Sequence, residues 1–171
     1  MQQAEQQRVF DDWLRGHKDL VFKIVRAYAF DRHDQEDLFQ EVAYQLWQSI
    51  PGFKRESSVT TWIYRVALYC GIAWSKRERR QRDRKQALES VELPALLEPV
   101  EQDPRVDWLY AQIARLAPVD RSLVLLLLDG LSYREMAATL GISESHVGVK
   151  LTRIKQALAQ KSKVGAADGP R

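Results

Sequence analysis

The stretch SYREMAATLGISESHVGVKLTRIKQ, residues 132–156, carries the clearest structural signal in the sequence. Ser132 and Glu135 have the spacing of a capping box, in which a hydroxyl and a carboxylate satisfy backbone N–H groups at a helix start. Gly141 is suited to the left-handed conformation that often ends a helix, and Ser143 can cap the next helix. The stretch therefore predicts two short helices joined by a tight turn.

The second of these helices has two distinct sides. Residues at helical spacing are expected to be buried; they are Val147, Leu151, Ile154 and Leu158. The opposite side is mostly polar and basic, and it consists of Ser145, His146, Val149, Lys150 and Arg153. Such a face suits the major groove of duplex DNA, although a plain helical hairpin with a solvated basic face has the same pattern. Gly148 counts against DNA reading, because glycine weakens a helix by about 1 kcal/mol relative to alanine.

The composition limits what else the chain can be. Its 171 residues fit one large domain or two small ones, and the few glycines and prolines favour helix over a turn-rich β fold. Cys70 is the single cysteine, which excludes a disulfide framework or a cysteine-rich zinc site. The sequence contains no nucleotide-binding loop, metal-ligand spacing or triad-like motif. We therefore expect no enzymatic activity, metal, cofactor or small-molecule substrate.

Targeting signals are also missing from the sequence. The polar N-terminus lacks the apolar core of a signal peptide. The longest apolar run, residues 123–128, is too short to span a bilayer. We expect a soluble, cytoplasmic protein.

Helical periodicity organises the rest of the chain into two parts. Three helices are predicted before residue 86: the first over 9–28, the second from about Asp34 to Pro51, and the third from about Thr60. The buried side of the third helix is predicted to contain Trp62, Ile63, Val66, Cys70, Ala73 and Trp74. An acidic, proline-containing stretch over 86–107 reads as a linker, and further helices follow it.

The third helix ends in the basic segment WSKRERRQRDRK, residues 74–85, which has seven basic residues and two acidic ones. Aromatic residues beside such a run suit nucleic acid with unstacked bases, because cations follow the backbone and rings receive bases. A solvated helix end is the alternative. For Trp62 in particular, a stacking wall and a core position are equally compatible with the sequence.

The second helix differs in character, because the side opposite its apolar stripe is polar and acidic. That side consists of Asp37, Gln40, Glu41, Tyr44, Gln45 and Gln48. Such a surface repels DNA and suits a protein partner. From spacing alone, however, it indicates only an ordinary solvated face.

Three segments carry a family resemblance. DQEDLFQEVAYQLWQSIPGF (34–53) contains the acidic-aliphatic pattern "EDLvQE" of a polymerase-binding helix, TTWIYRVAL (60–68) is similar to a "WLyrIA" segment, and residues 116–158 resemble a fourth conserved region. In this order they resemble bacterial sigma factors of the extracytoplasmic-function (ECF) type. The resemblance implies an all-α fold with region two at 1–86, a flexible acidic linker at 87–105, region four at 106–163 and a disordered tail at 164–171.

The resemblance also implies a function, which is to bind core RNA polymerase and direct promoter-specific initiation. Core polymerase, through its β′ and β subunits, is expected to contact Asp37, Gln40, Glu41, Tyr44 and Gln45. The minus-ten element is expected to contact Lys54, Arg55, Ser57, Ser58, Thr60, Trp62, Arg65, Tyr69, Lys76, Arg77 and Arg80. The minus-thirty-five element is expected to contact Ser143, Ser145, His146, Val149, Lys150 and Arg153. An anti-sigma factor is a further expected partner.

Some positions depart from the family pattern. Relatives often carry Asn at the position of Tyr69, Asp at that of Ala73 and Lys at that of Gly148, so the exact promoter contacts do not carry over. Two other functions were weighed against the sequence. A stand-alone helix-turn-helix regulator explains residues 132–156 but leaves 34–85 without a role, and a polymerase adaptor without DNA contact leaves the basic face of the last helix unexplained.

Overall fold

The computed structural model describes residues 3–85 and 103–167, and every regular element in these ranges is helical. The helices are α1 (Gln3–Tyr28), α2 (Arg32–Ser49), α3 (Val59–Lys85), α4 (Pro104–Ala114), α5 (Pro118–Leu128), α6 (Tyr133–Leu140) and α7 (Glu144–Ala167), with a short 3₁₀ turn at Ile50–Gly52. The predicted all-α fold is thereby confirmed. None of the helices in the described ranges has the length and apolar character needed to cross a bilayer.

The chain divides into two compact units, residues 1–110 and 111–171. Helix α4 spans this boundary: residues 104–110 lie in the first unit, and its buried residues, Gln112 and Ile113, lie in the second. Most of the predicted linker at 87–105 lies outside the described residues. Its last two residues are already helical, since α4 begins at Pro104, where proline suits a first helical turn.

The predicted disordered tail at 164–171 needs correction at its start. Helix α7 continues to Ala167, and residues 168–171 lie outside the described part. The alanines at 166 and 167 are strong helix formers.

In the first unit, α1, α2 and α3 contact one another around a shared core. Ile24, Leu38, Leu46, Ile63 and Leu68 are among its fully buried side chains. The core forms because each helix has one apolar face that it cannot bury alone.

Tyr28 of α1 lies directly against Gly71 of α3. A Cβ atom built on Gly71 would come within 2.5 Å of the Tyr28 ring. The absence of a side chain at position 71 therefore sets how closely α1 and α3 approach.

Two details of the first unit differ from the predicted pattern or refine it. Helix α2 begins at Arg32, slightly before the predicted start at about Asp34, because Asp31 caps it: the Asp31 carboxylate accepts from the Asp34 backbone N–H at 2.8 Å. Helix α1, predicted as one helix over 9–28, is kinked at His17 (φ −131°, ψ 16°), next to Gly16.

The predicted buried side of α3 is wrong in part. Ile63 and Cys70 are buried as predicted, but Trp62, Val66 and Trp74 are only partly covered and Ala73 is exposed. The buried side also includes Tyr64, Ala67, Leu68 and Gly71. Helix α3 has apolar residues on more than one side, so its sequence did not determine which side faces α1 and α2.

The second unit is built around α5, which contacts both α6 and α7. The run from Leu123 to Leu126 is fully enclosed, as its leucine content predicts. Around it lie Met136 of α6 and Val147 and Leu151 of α7, all with no exposed surface. This packing fixes which side of α7 remains open to solvent.

Candidate nucleic-acid interface

The predicted polymerase-binding residues share one side of α2. Asp37, Gln40, Glu41, Tyr44 and Gln45 follow the three- and four-residue spacing of a single helix face. All are exposed except Glu41, which is half-buried, and Tyr44 is 59% exposed. The opposite side of α2 is buried in the core. The first unit therefore holds this face outward on a helix that its own packing makes rigid.

Glu41 is not a free carboxylate, because Arg77 of α3 donates to it at 2.5 Å. The pair joins a predicted polymerase contact to a predicted DNA contact. Cys70 lies close to this pair, and burial raises the pKa of its thiol to about 12, with a further contribution from the negative charge of Glu41. The thiol is therefore protonated at neutral pH and is not a reactive nucleophile.

Trp62 stands at the start of α3 in a fixed position. Its indole N–H donates to the Ser49 hydroxyl at 2.9 Å, and its ring lies 5.4 Å from that of Phe53. Phe53 in turn contacts Trp13 edge to face at 5.1 Å. Trp62 is only half-buried, so it belongs to the edge of the core and still presents part of its ring to solvent.

Several of the predicted polar contacts before α3 already have partners. The Ser58 hydroxyl accepts from the Thr61 backbone N–H at 3.1 Å and so caps α3. Thr60 contacts Nε2 of His17 at 3.0 Å, while Nδ1 of His17 lies 3.0 Å from the Trp13 carbonyl. Because a carbonyl only accepts, Nδ1 carries a proton; in the neutral ring Nε2 then accepts from the Thr60 hydroxyl.

The loop before α3 exposes two basic residues, Lys54 and Arg55, and half-buries Ser57. Arg55 has a positive φ of 58°, which is uncommon for a residue with a side chain. Together with the cap at Ser58, this conformation gives the loop a defined turn. Lys54 and Arg55 are therefore the cations that the loop presents to solvent.

The remaining predicted minus-ten residues form one line along α3. Arg65, Tyr69, Lys76 and Arg80 lie at positions i, i+4, i+11 and i+15, which place them on one face. The line is about 22 Å long at 1.5 Å per residue. Tyr69, Lys76 and Arg80 are exposed, and Arg77 flanks the line with its guanidinium 5.6 Å from the Trp74 ring.

The second unit contains the predicted helix-turn-helix. Ser132 and Glu135 form the capping box, and the backbone N–H and the hydroxyl of Ser132 hold the pKa of Glu135 below its ordinary value. Gly141 adopts the left-handed conformation (φ 68°, ψ 33°) at the end of α6. The Ser143 hydroxyl accepts from the His146 backbone N–H at 3.1 Å and caps α7. All three features confirm the local predictions.

Lys150, a predicted DNA contact, is bound inside the second unit. Its ammonium donates to the Asp120 carboxylate of α5 at 2.8 Å, and the two side chains are only 29% and 23% exposed. The other predicted residues of α7 are exposed: Ser145, His146, Val149 and Arg153. The helix therefore presents a hydroxyl, an imidazole, an apolar side chain and a guanidinium to solvent.

Sequence reasoning missed three residues that shape these surfaces. His17 links the kink of α1 to Thr60, Asp120 holds Lys150, and the Tyr133 ring lies 3.6 Å from the position of a Cβ on Gly148. Their partners are between 15 and 43 residues away in sequence, so no local spacing reveals these contacts. Within the described ranges no group of three or more His, Cys, Asp or Glu side chains could hold a metal ion.

Both units match known sequence families. Residues 13–85 match the family described as Sigma-70 region 2, and residues 107–158 match Sigma-70 region 4. The chain is therefore a member of the sigma-70 family of transcription initiation factors.

Its curated relatives are ECF RNA polymerase sigma factors. SigE of Mycolicibacterium smegmatis is 26% identical over 87% of this chain, which spans 60% of the length of SigE. SigX of Bacillus subtilis is 29% identical over 80% of this chain and 77% of its own length. Both relatives resemble this chain over at least 80% of its length.

Two solved structures share the fold. CnrH in complex with the cytosolic domain of CnrY has a TM-score of 0.65 and 19% identity, and the match covers 95% of this chain and 91% of CnrH. The sigma factor RpoE of Bartonella quintana, solved with the anti-sigma factor NepR, has a TM-score of 0.67 and 19% identity. This match covers 92% of this chain and 98% of RpoE.

Proposed function

We propose that this protein binds core RNA polymerase through α2 and directs promoter-specific initiation, with its first unit melting the minus-ten element and its second unit reading the minus-thirty-five element. The observation that supports this proposal most directly is the arrangement of side chains along one face of α3. A half-exposed Trp62 at its start is followed by a line of about 22 Å from Arg65 to Arg80, on which Tyr69, Lys76 and Arg80 are exposed. Rings that receive unstacked bases, followed by cations that track a backbone, are the features that single-stranded DNA needs.

The α2 face supports the polymerase contact. It combines acidic and amide side chains with an exposed tyrosine, and acidic groups repel DNA while aromatic residues are favoured in protein interfaces. We propose that the β′ subunit contacts Asp37, Gln40, Glu41, Tyr44 and Gln45, and that β is contacted elsewhere on the chain. Because polymerase and chromosome share one compartment, we expect a cytoplasmic protein. Because the sequence has no catalytic motif, we expect no enzymatic activity, cofactor or small-molecule substrate.

For the minus-ten element we propose two groups of contacts. Lys54, Arg55, Lys76, Arg77 and Arg80 supply charge to the phosphates. Ser57, Ser58, Thr60, Trp62, Arg65 and Tyr69 surround the place where a base leaves the stack. Trp62 is the stacking wall in this arrangement, because its hydrogen bond to Ser49 and its contact with Phe53 hold the ring still. A ring that is already ordered loses little entropy when a base stacks on it.

For the minus-thirty-five element we propose that the outward face of α7 enters the major groove. Ser145, His146, Val149 and Arg153 are the residues that face the bases, and Ser143 lies at the helix start beside them. Lys150 has a different role in this proposal. Its pairing with Asp120 makes it a residue that positions α7 against α5.

An anti-sigma factor is a further proposed partner. The Bartonella RpoE was solved in complex with the anti-sigma factor NepR. CnrH was solved in complex with the cytosolic domain of CnrY. We propose that a comparable protein binds this chain and competes with polymerase for the exposed face of α2. Competition follows because one face cannot contact two partners at once.

The test is run-off transcription with purified core polymerase on a library of genomic fragments from the source organism. We expect defined transcripts only when the chain and core polymerase are both present. Permanganate probing of the same complexes should show reactive, unpaired thymines upstream of each start. Nanomolar binding of the chain alone to a duplex operator, without any core binding or initiation, would contradict the proposal and favour a stand-alone regulator.

The polymerase contact has its own test. Asp37→Lys should weaken core binding by about tenfold, since it reverses a charge on an exposed interface residue. Asp12→Lys is the matched control, because it makes the same charge change on an exposed position of α1. Equal affinities for the two variants would remove Asp37 from the interface.

A further inference from the structure

The centre of the outward face of α7 is an apolar side chain. Ser145, Val149 and Arg153 follow one another at four-residue spacing and form one line along the helix. Val147 and Leu151, on the other side, have no exposed surface. Val149 is 48% exposed, so its two methyl groups stand in solvent between a hydroxyl and a guanidinium.

The two neighbours of Val149 leave it uncovered. Lys150 is held away from the outward face by the Asp120 carboxylate at 2.8 Å. Gly148 has no side chain, and the Tyr133 ring lies at its flank, 3.6 Å from the position that a Cβ would take. Tyr133 is itself 39% exposed. An exposed apolar side chain, Val149, therefore lies at the centre of the outward face of α7.

The edge of a base pair in the major groove carries donors, acceptors and one apolar group, the C5-methyl of thymine. A valine cannot donate or accept a hydrogen bond, so a methyl group is the partner that it can recognise. The exposed Lys155 nearby suits the phosphates beside the groove, and Arg153 adds a second positive charge close to Val149. Charged residues around Val149 are unfavourable for an apolar protein partner, because such an interface needs a larger water-excluded apolar surface.

We propose that Val149 is a specificity-determining residue that contacts the C5-methyl group of a thymine in the minus-thirty-five element. The inference rests on the proposed function, and it adds the chemical group that the second unit reads. It also explains how a helix with glycine at position 148 and a paired Lys150 distinguishes sequences. Shape and a methyl contact replace one of the hydrogen-bonded contacts.

The experiment uses holoenzyme, assembled from core polymerase and the full chain, on a promoter found by run-off transcription. Each thymine of the upstream element, on either strand, is replaced in turn by deoxyuridine, which removes only the methyl group. We expect affinity to fall about fourfold at one position, the effect of burying one methyl group. In Val149→Ala this position should bind thymine and deoxyuridine equally.

The control is Leu128→Ala, which shortens another exposed apolar side chain (54% exposed) of the same unit. It should keep the fourfold response to deoxyuridine. Equal responses in the unsubstituted chain and Val149→Ala would overturn the inference, and so would an upstream element that contains no thymine or tolerates deoxyuridine everywhere. An apolar protein that binds this face and is lost in Val149→Ala, with no deoxyuridine response, would identify a protein contact instead. Absence of any initiation would count against the proposed function itself.

Discussion

Helices α3 and α7 carry the two proposed DNA surfaces, and they differ in how their cations are used. On α3, Lys76 and Arg80 are exposed at the end of a line that runs about 22 Å from Arg65. On α7, Lys150 is bound by Asp120, and the exposed centre is Val149. Cations that follow a backbone give affinity without sequence information, whereas fixed contacts to base edges give specificity. We therefore propose that the first unit supplies binding and melting and that the second unit reads the sequence.

The same two helices differ in how tightly they are packed. Gly71 of α3 lies against Tyr28, with no room for a Cβ atom. Gly148 of α7 has ordinary contact distances to Tyr133. Glycine in a helix interior is generally unfavourable. Replacement by alanine should nevertheless lower the free energy of unfolding at position 71 and raise it at position 148.

The largest effect is expected for Gly71→Ala. The new methyl group must displace the buried Tyr28 ring or separate α1 from α3, and overpacking of this kind costs about 1–3 kcal/mol. Urea unfolding of the full chain, followed by circular dichroism, measures the loss. Gly16→Ala is the control, because nothing lies within 4 Å of its new Cβ; an equal loss in both variants would show that packing on Tyr28 is not the cause.

The next effect concerns Lys150 and Asp120. Removing either partner leaves the other charge half-buried, and we expect Lys150→Met and Asp120→Asn each to lower the free energy of unfolding by about 1–2 kcal/mol. The double variant should lose less than the sum, because the two residues act as a pair. If Lys150 reads a base instead, Lys150→Met will lower the affinity for one promoter sequence and leave stability unchanged.

Local contacts could be predicted from the sequence, whereas contacts between distant positions could not. The capping box at Ser132 and Glu135 and the turn at Gly141 were predictable, because all their partners lie within a few residues. The pairing of Lys150 with Asp120 joins positions 30 residues apart, and no spacing rule connects them. The sequence therefore placed Lys150 on the DNA face by periodicity, and only the packing of α5 against α7 revealed its partner.

The buried side of α3 was predicted in part for a related reason. Trp62, Val66 and Trp74 are apolar, and so are Tyr64 and Leu68, which occupy another side of the same helix. A helix with apolar residues on several sides has no unique phase. The packing of Gly71 on Tyr28 selects one side, and it thereby leaves Tyr69, Ala73 and Lys76 exposed in one line.

A smaller effect should separate the two surfaces by their response to salt. Lys76→Ala and Arg80→Ala should each weaken promoter binding by the holoenzyme by about 1 kcal/mol or less. Each should also reduce the slope of log affinity against log salt by about 0.7–0.9, the value for one phosphate contact. The loss should be uniform across promoter sequences, whereas Val149→Ala should change the preference and leave the slope unchanged. A loss in Lys76→Ala that depends on the promoter sequence would show that α3 also reads bases and does not contact phosphates alone.

The smallest effect is expected for Gly148→Ala, and it has the opposite sign to Gly71→Ala. The added Cβ lies 3.6 Å from the Tyr133 ring, an ordinary contact distance, and the unfolded chain loses conformational freedom, so the free energy of unfolding should rise by about 0.5–1 kcal/mol. The response to deoxyuridine should persist, because Val149 remains at the centre of the face. A stabilised variant that no longer distinguishes promoters would show that Gly148 is needed for the DNA backbone to approach α7; a destabilised one would show that the Tyr133 contact has no room to adjust.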